Sequence, residues 1–203
     1  ETMQGETVAW LCEQAKRLNA AITGSVQLRD GGKVFNRMLW AMPNGELHFY
    51  DKRHLFRMAG EHERYAAGTD KTYIDFKGWR ICPLVCYDLR FPELYRALVD
   101  QGAELFSIPS AFTVPTGRAH WEVLLRARAI ENQAFVLAPA QSGKHVGGRD
   151  TWGDSMVVDP WGKVMSRHSA GVGAVLVDLD REAQLEVRAK FPSLGHRKFK
   201  IRT

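Results

Sequence analysis

Cysteine is scarce in this sequence: three residues among 203, at positions 12, 82 and 86. Three scattered thiols cannot build a disulfide framework. Cys82 and Cys86 share a segment, but no second pair or nearby His cluster completes a zinc site. The opening residues, Glu1-Thr2-Met3-Gln4-Gly5, lack the basic, apolar, small-residue order of a signal peptide. An odd number of thiols without such a leader implies reduced cysteines and a cytoplasmic location. Long hydrophobic runs are missing as well. None approaches the roughly 20 apolar residues of a membrane-spanning helix, so no membrane association is expected. Repeats, low-complexity tracts and linkers are also wanting, which leaves one domain over residues 1–203.

Charge of one sign is not in large excess. The 28 Lys and Arg against 23 Asp and Glu give a net +5. The basic residues are spread along the chain without an aromatic-interleaved block, which argues against nucleic acid. A modest positive balance suits an anionic small molecule equally well.

What is present reads as an α/β chain. Apolar Val8, Leu11, Cys12, Ala15 and Leu18 recur at helical spacing over Thr7 to Leu18, with Cys12 on the core side. Ala20 to Leu28 reads as a buried strand. Val34 to Met42 and Glu46 to Tyr50 flank Pro43-Asn44-Gly45, a strong hairpin signal. A second hairpin joins Tyr73–Phe76 to Arg80–Val85 around Lys77-Gly78-Trp79. Pro92 to Val99 is helical, with Pro tolerated in its first turn. Leu105 to Ile108 is a strand, His120 to Asn132 a helix, and Ala134 to Ala140 a strand. Met156–Val158 pairs with Val164–Ser166, Ala174 to Val177 is the last strand, and Arg181 to Ala189 closes the fold before a basic tail. Asp51 to Asp70 follows neither period and is rich in charge and His, as functional loops are.

The chemistry-bearing stretch is Ile81-Cys82-Pro83-Leu84-Val85-Cys86-Tyr87-Asp88-Leu89-Arg90-Phe91-Pro92-Glu93. An apolar strand runs into Cys86 and a helix begins soon after, so the side chain projects where open α/β sheets bind ligands. Nearby helix amides are expected to favour the thiolate, and the Tyr87 N–H can meet a developing oxyanion. A buried, inert cysteine is the plain alternative, and that is how Cys82, in apolar surroundings, is read. A thiol nucleophile needs a base or a cation. Tyr50-Asp51-Lys52-Arg53-His54 offers a lysine just past a strand, although a lysine there is ordinarily a solvated surface charge. His54 is a candidate base whose common role in a polar loop is a structural hydrogen bond.

These segments resemble motifs of the nitrilase superfamily of carbon–nitrogen hydrolases. Tyr50 to Phe56 is similar to its lysine motif, and Val85 to Glu93 to its nucleophile elbow. His120-Trp121 through Arg126-Ala127-Arg128-Ala129-Ile130-Glu131-Asn132-Gln133 is similar to the following helix. Gly153-Asp154-Ser155 and Asp159-Pro160-Trp161-Gly162 are similar to its late strands. The resemblance implies an αββα four-layer sandwich assembled into homodimers or larger homo-oligomers, with no metal or organic cofactor. It implies Cys86 as nucleophile, Lys52 as oxyanion holder, and Glu61, in Gly60-Glu61-His62-Glu63, as the second glutamate. It also implies a general-base glutamate in an upstream Pro-Glu motif. No Pro-Glu step precedes Lys52, so the opening strands and helix of the family fold are expected to be absent from residues 1–203. The chain is then a fragment, or a non-catalytic scaffold or assembly subunit without the base.

Two subfamilies share the likeness. Phe49 to Met58 resembles omega-amidases acting on 2-oxoglutaramate, and Pro109 to Gly117 resembles deaminated glutathione amidases. Both imply hydrolysis of a small carboxylate-bearing amide through a Cys thioester, with release of ammonia. Arg90 is the implied partner of the substrate carboxylate. The loop from Phe112 through Thr113 to Gly117 is expected to shape the pocket.

Overall fold

The computed structural model describes residues 1–146 and 148–199. Helix α1 (Glu6–Leu18) leads into a three-stranded antiparallel sheet ordered β1 (Ile22–Asp30), β2 (Lys33–Ala41) and β3 (Leu47–Asp51). A six-stranded mixed sheet follows in the order β11-β10-β7-β6-β5-β4. Its strands are β4 (Ile74–Phe76), β5 (Trp79–Pro83), β6 (Leu105–Ser107), β7 (Phe135–Ala138), β10 (Ser155–Val158) and β11 (Val164–His168). A small hairpin, β8 (Ser142–Lys144) with β9 (Asp150–Trp152), stands apart from both sheets. The remaining helices are α2 (Glu61–Arg64), α3 (Pro92–Val99), α4 (Val114–Asn132) and α5 (Arg181–Lys190).

Strand β2 shows why the elements stack in four layers. Side chains alternate across a strand, yet Met38 to Met42 are all buried, so both faces of β2 are covered. Leu39 and Ala41 join Val8, Leu11 and Ala15 of α1 in a small outer core. Met38, Trp40 and Tyr50 point the other way, into the main core with Cys82, Phe106 and Val136. That core continues to Tyr95 and Leu98 of α3 and to Trp121, Leu125 and Ala129 of α4. The layers run α1, first sheet, second sheet, α3 with α4. This is the α/β, αββα four-layer sandwich expected from the motifs.

Turn chemistry fixes both hairpins. Met42 N–H donates to Glu46 O at 2.8 Å and Gly45 N–H to Met42 O at 3.0 Å, with Gly45 at φ 94°. Lys77 and Gly78 both have positive φ, 49° and 81°, as a two-residue turn between antiparallel strands demands. Helix α3 covers the residues expected of it.

Four expectations change. Ala20 to Leu28 is not a buried strand: β1 lies at a sheet edge and of its residues only Leu28 is fully covered. Cys12 is half-buried at the margin of the outer core. Helix α4 begins at Val114, six residues before His120, because Pro115 suits a first helical turn. Ala174 to Val177 belongs to no strand, and Leu176 is exposed. The basic tail passes residue 199 and lies partly outside the described residues. Among the described residues no helix is long and apolar enough to cross a membrane.

The first turn of α4 is pressed against β9. A Cβ on Gly117 would stand 2.2 Å from Cβ and Cγ of Trp152. Gly117→Ala is therefore expected to lower stability by about 1–3 kcal/mol, measured by urea denaturation. Gly24→Ala, with nothing within 4 Å of the added methyl, should change it by less than about 0.5 kcal/mol.

Candidate active site

Lys52 follows β3 directly, and its N–H donates to Asn36 O at 2.9 Å, prolonging the ladder with β2 by one rung. Its side chain is 1% exposed. A buried ammonium requires a partner, and both oxygens of Glu61 supply one, at 2.9 and 2.7 Å from Nζ. Glu61 sits in the first turn of α2 and also accepts the Phe56 N–H at 2.8 Å. The segment Asp51 to Asp70 is thus a looped frame that brings a carboxylate back to the lysine at its start. Gly68 closes the frame: its N–H donates to Lys52 O at 3.0 Å, and a Cβ there would meet Asp51 O at 2.2 Å.

Cys86 opens a single 3-10 turn, Cys86–Arg90, three residues past β5. Its φ is 48°, in the left-handed region, at a cost of about 1–2 kcal/mol for a residue with a Cβ. Several bonds hold it there. Cys86 N–H donates to Pro109 O at 3.1 Å. Arg128, buried on α4, donates from Nε to Leu89 O at 3.0 Å. Asp88, fully buried, accepts from Val85 N–H at 3.0 Å, Tyr50 Oη at 2.9 Å, His54 N–H at 3.0 Å and His54 Nδ1 at 2.8 Å. The two neighbouring thiols of this stretch part company here. Cys82 stays in the core, where burial pushes its thiol far up, while Cys86 keeps a partly exposed surface.

The thiol of Cys86 is raised above its ordinary value, chiefly by burial. Lys52 and the Ala111 backbone N–H act in the opposite sense; Glu61 and Asp88 add to the rise. The expected stabilisation of a thiolate by helix amides is therefore outweighed: α3 starts only at Pro92 and desolvation dominates. The sulfur rests as a thiol, within the field of one ammonium.

Comparison with known proteins gives this arrangement its context. The carbon–nitrogen hydrolase family description matches residues 1–189. The chain belongs to that family. The hydrolase is 43% identical to the omega-amidase YafV of Escherichia coli K12, over 94% of this chain and 73% of that protein. It is 45% identical to the deaminated glutathione amidase of Yersinia enterocolitica, over 74% of this chain and 55% of that protein. Its fold superposes on XC1258 of Xanthomonas campestris, a CN-hydrolase superfamily protein solved with an arsenic adduct in its active site. The TM-score is 0.95 at 44% identity, covering 100% of this chain and 78% of that one. The family resemblance read from the motifs holds, and the chain is a hydrolase of the amidase type.

Within the hydrolase the expected site residues divide. Lys52 and Glu61 are in contact, and the charges of both act on Cys86. The Tyr87 N–H precedes the first bond of the thiol turn, Asp88 N–H to Val85 O at 3.1 Å, so that turn does not use it. Arg90 is half-buried, 3.1 Å from Nδ1 of His120 and 5.1 Å above the Phe112 ring. Phe112 is not a free loop side chain: it is 6% exposed and packs on Trp121. Thr113 caps α4, its hydroxyl 2.9 Å from that of Thr116. The expected pocket loop past Thr113 is thus helix rather than loop. His54 makes the structural bonds to Asp88 that its type suggests. Asp88, Tyr50, Ala111 and Arg128 were not singled out by the sequence reading. Only their presence within the quoted motifs pointed to them, and nothing in those motifs marked the Ala111 amide as a donor to the thiol. Among the described residues no group of three or more His, Cys, Asp and Glu is arranged to hold a metal ion.

These charges fix the direction of a titration. The rate of Cys86 alkylation by iodoacetamide should rise with a midpoint above that of free cysteine. Lys52→Met is expected to move that midpoint up by about one pH unit or more, and Glu61→Gln to move it down. Mass spectrometry against Cys86→Ala assigns the signal among the three thiols; a downward shift with Lys52→Met contradicts the geometry.

Proposed function

We propose that the hydrolase cleaves a small carboxylate-bearing amide, a 2-oxo acid omega-amide such as 2-oxoglutaramate, through a thioester on Cys86. The observation that carries this reading is a thiol on a left-handed backbone position, acted on by a buried ammonium that Glu61 holds in place. The Cys86 sulfur attacks the amide carbon, forming the C–S bond and a tetrahedral oxyanion. The Lys52 ammonium and the Tyr87 N–H stabilise that oxygen. The thiol proton passes through a carboxylate to the leaving nitrogen, the C–N bond breaks and ammonia departs. Water, deprotonated by the same carboxylate, then cleaves the thioester to the free acid. A thiol raised by burial needs such a base. The family resemblance implies a glutamate of a Pro-Glu motif for that work, beside Glu61 as the anchor of Lys52. No metal or organic cofactor takes part.

Arg90 in this reading binds the substrate carboxylate, with the Phe112 ring beneath it and Thr113 beside the cleft. The 43% identity to an omega-amidase supports the substrate. The 45% identity to a deaminated glutathione amidase over a shorter span supports a second reading, in which the substrate is the longer, glutathione-derived amide. Self-assembly into a homodimer or larger homo-oligomer fits the exposed Val123, Ile130, Trp161 and Phe191, the last two in edge contact at 6.0 Å.

Ammonia release is to be measured from 2-oxoglutaramate, other 2-oxo acid omega-amides and deaminated glutathione. The assay takes this chain and a form extended at its N-terminus by a Pro-Glu-containing strand. The extended form should turn over 2-oxoglutaramate fastest, and Cys86→Ala should reduce turnover by at least about 1,000-fold. Preference for deaminated glutathione selects the second reading. No ammonia from any member by the extended form returns the chain to the scaffold reading.

A further inference from the structure

We propose that Asp88 is the positioning residue of the site, holding the Lys52 ammonium and the Cys86 sulfur in register by bonding both chain segments at once. The proposal rests on the pairing of Cys86 with Lys52 put forward above. Two of its donor residues, Tyr50 and His54, stand two positions before and two positions after Lys52. The third, Val85, immediately precedes Cys86. The segment around Lys52 is closed further by Arg53 N–H, which donates to Tyr50 Oη at 3.3 Å while that hydroxyl donates to Asp88. Three backbone or side-chain groups of residues 50–54 thus converge on one carboxylate.

A local helix cap is the simpler role for an aspartate at this point in a turn. The Val85 bond alone would satisfy it. The other three bonds come from residues 34 and 38 positions away, and a cap has no need of them. A second tie runs parallel to the first: the His54 ring lies on Phe91 at 3.7 Å and 8°. Asp88 accepts and does not donate, so His54 Nδ1 carries the proton in their contact. The ring is thereby committed to holding the two segments together.

A double-substitution cycle on the Cys86 alkylation midpoint tests this without requiring turnover. The charged or titratable groups acting on or beside the thiol are Lys52, Glu61, Asp88 and Tyr95. Asp88→Asn alone does not decide the matter, because it removes a charge that raises the thiol and, under the proposal, also loosens the ammonium that lowers it. The informative quantity is the shift caused by Lys52→Met in each background. A shift of about one pH unit or more in the unaltered chain that falls below about a third of that in Asp88→Asn supports the proposal. Shifts that add, with circular dichroism showing both variants folded, overturn it. Where Asp88→Asn does not fold, Tyr50→Phe takes its place, since it keeps the ring and removes one donor. A reduced Lys52→Met shift in that background supports the proposal, and an unchanged one overturns it. No Lys52→Met shift in the unaltered chain sinks the Cys86–Lys52 pair itself, and this proposal with it.

Discussion

Moving a carboxylate out of water costs several kcal/mol unless its lone pairs find donors, and Asp88, fully buried, meets four of them. The site depends on that exchange of hydration for hydrogen bonds. Each bond to an ionised acceptor is worth about 1.5–3 kcal/mol, enough between them to offset both the burial and the left-handed backbone of Cys86. The donors come from beside two sheets: Tyr50 lies in β3 and His54 three residues past its end, while Val85 stands two residues past β5. The same bonds that stabilise the charge therefore tie the segment that holds Lys52 to the turn that holds Cys86.

The chemical character of the sulfur follows from competition between burial and charge. Desolvation raises the thiol, one ammonium and one backbone N–H lower it, and two carboxylates raise it again. Burial wins. A thiol raised in this way is less prone to alkylation and oxidation than a free one. Lys52, bound to both oxygens of Glu61, keeps its ammonium fixed rather than free to swing toward solvent.

Local signals in the sequence led to the right elements where the physics is local. Pro92 at a helix start and the Asn44-Gly45 and Lys77-Gly78 turns each act through their own backbone, and each element appears where those residues require. The start of α4 was misplaced because Pro115 and Gly117 read as loop residues. Pro115 fits a first turn, and Gly117 is needed only for closeness to Trp152, 35 positions on. Ala174 to Val177 has the apolar composition of a strand without a paired neighbour to make it one. Cys86, Lys52 and Glu61 were legible through their motifs. The burial of Lys52 was not, because it depends on a carboxylate delivered by a four-residue helix that shows no period. Asp88 was least legible, since three of its four hydrogen bonds come from residues 34 and 38 positions away.

Strand β2 carries a last consequence. From Met38 onward its two faces are both apolar, so over that stretch size rather than polarity separates them, with Trp40 and Met38 toward one neighbour and Leu39 and Ala41 toward the other. Tyr50 stands opposite Met38, and Asp51 opposite Arg37, which grips it through two hydrogen bonds at 2.7 and 2.8 Å. Sliding β3 by one rung would turn Lys52 away from Glu61 and Tyr50 away from Asp88. The bend at Asn44-Gly45, at the far end of this ladder, thus acts as the zero mark of a ruler: counting residues from it sets where the positive charge arrives.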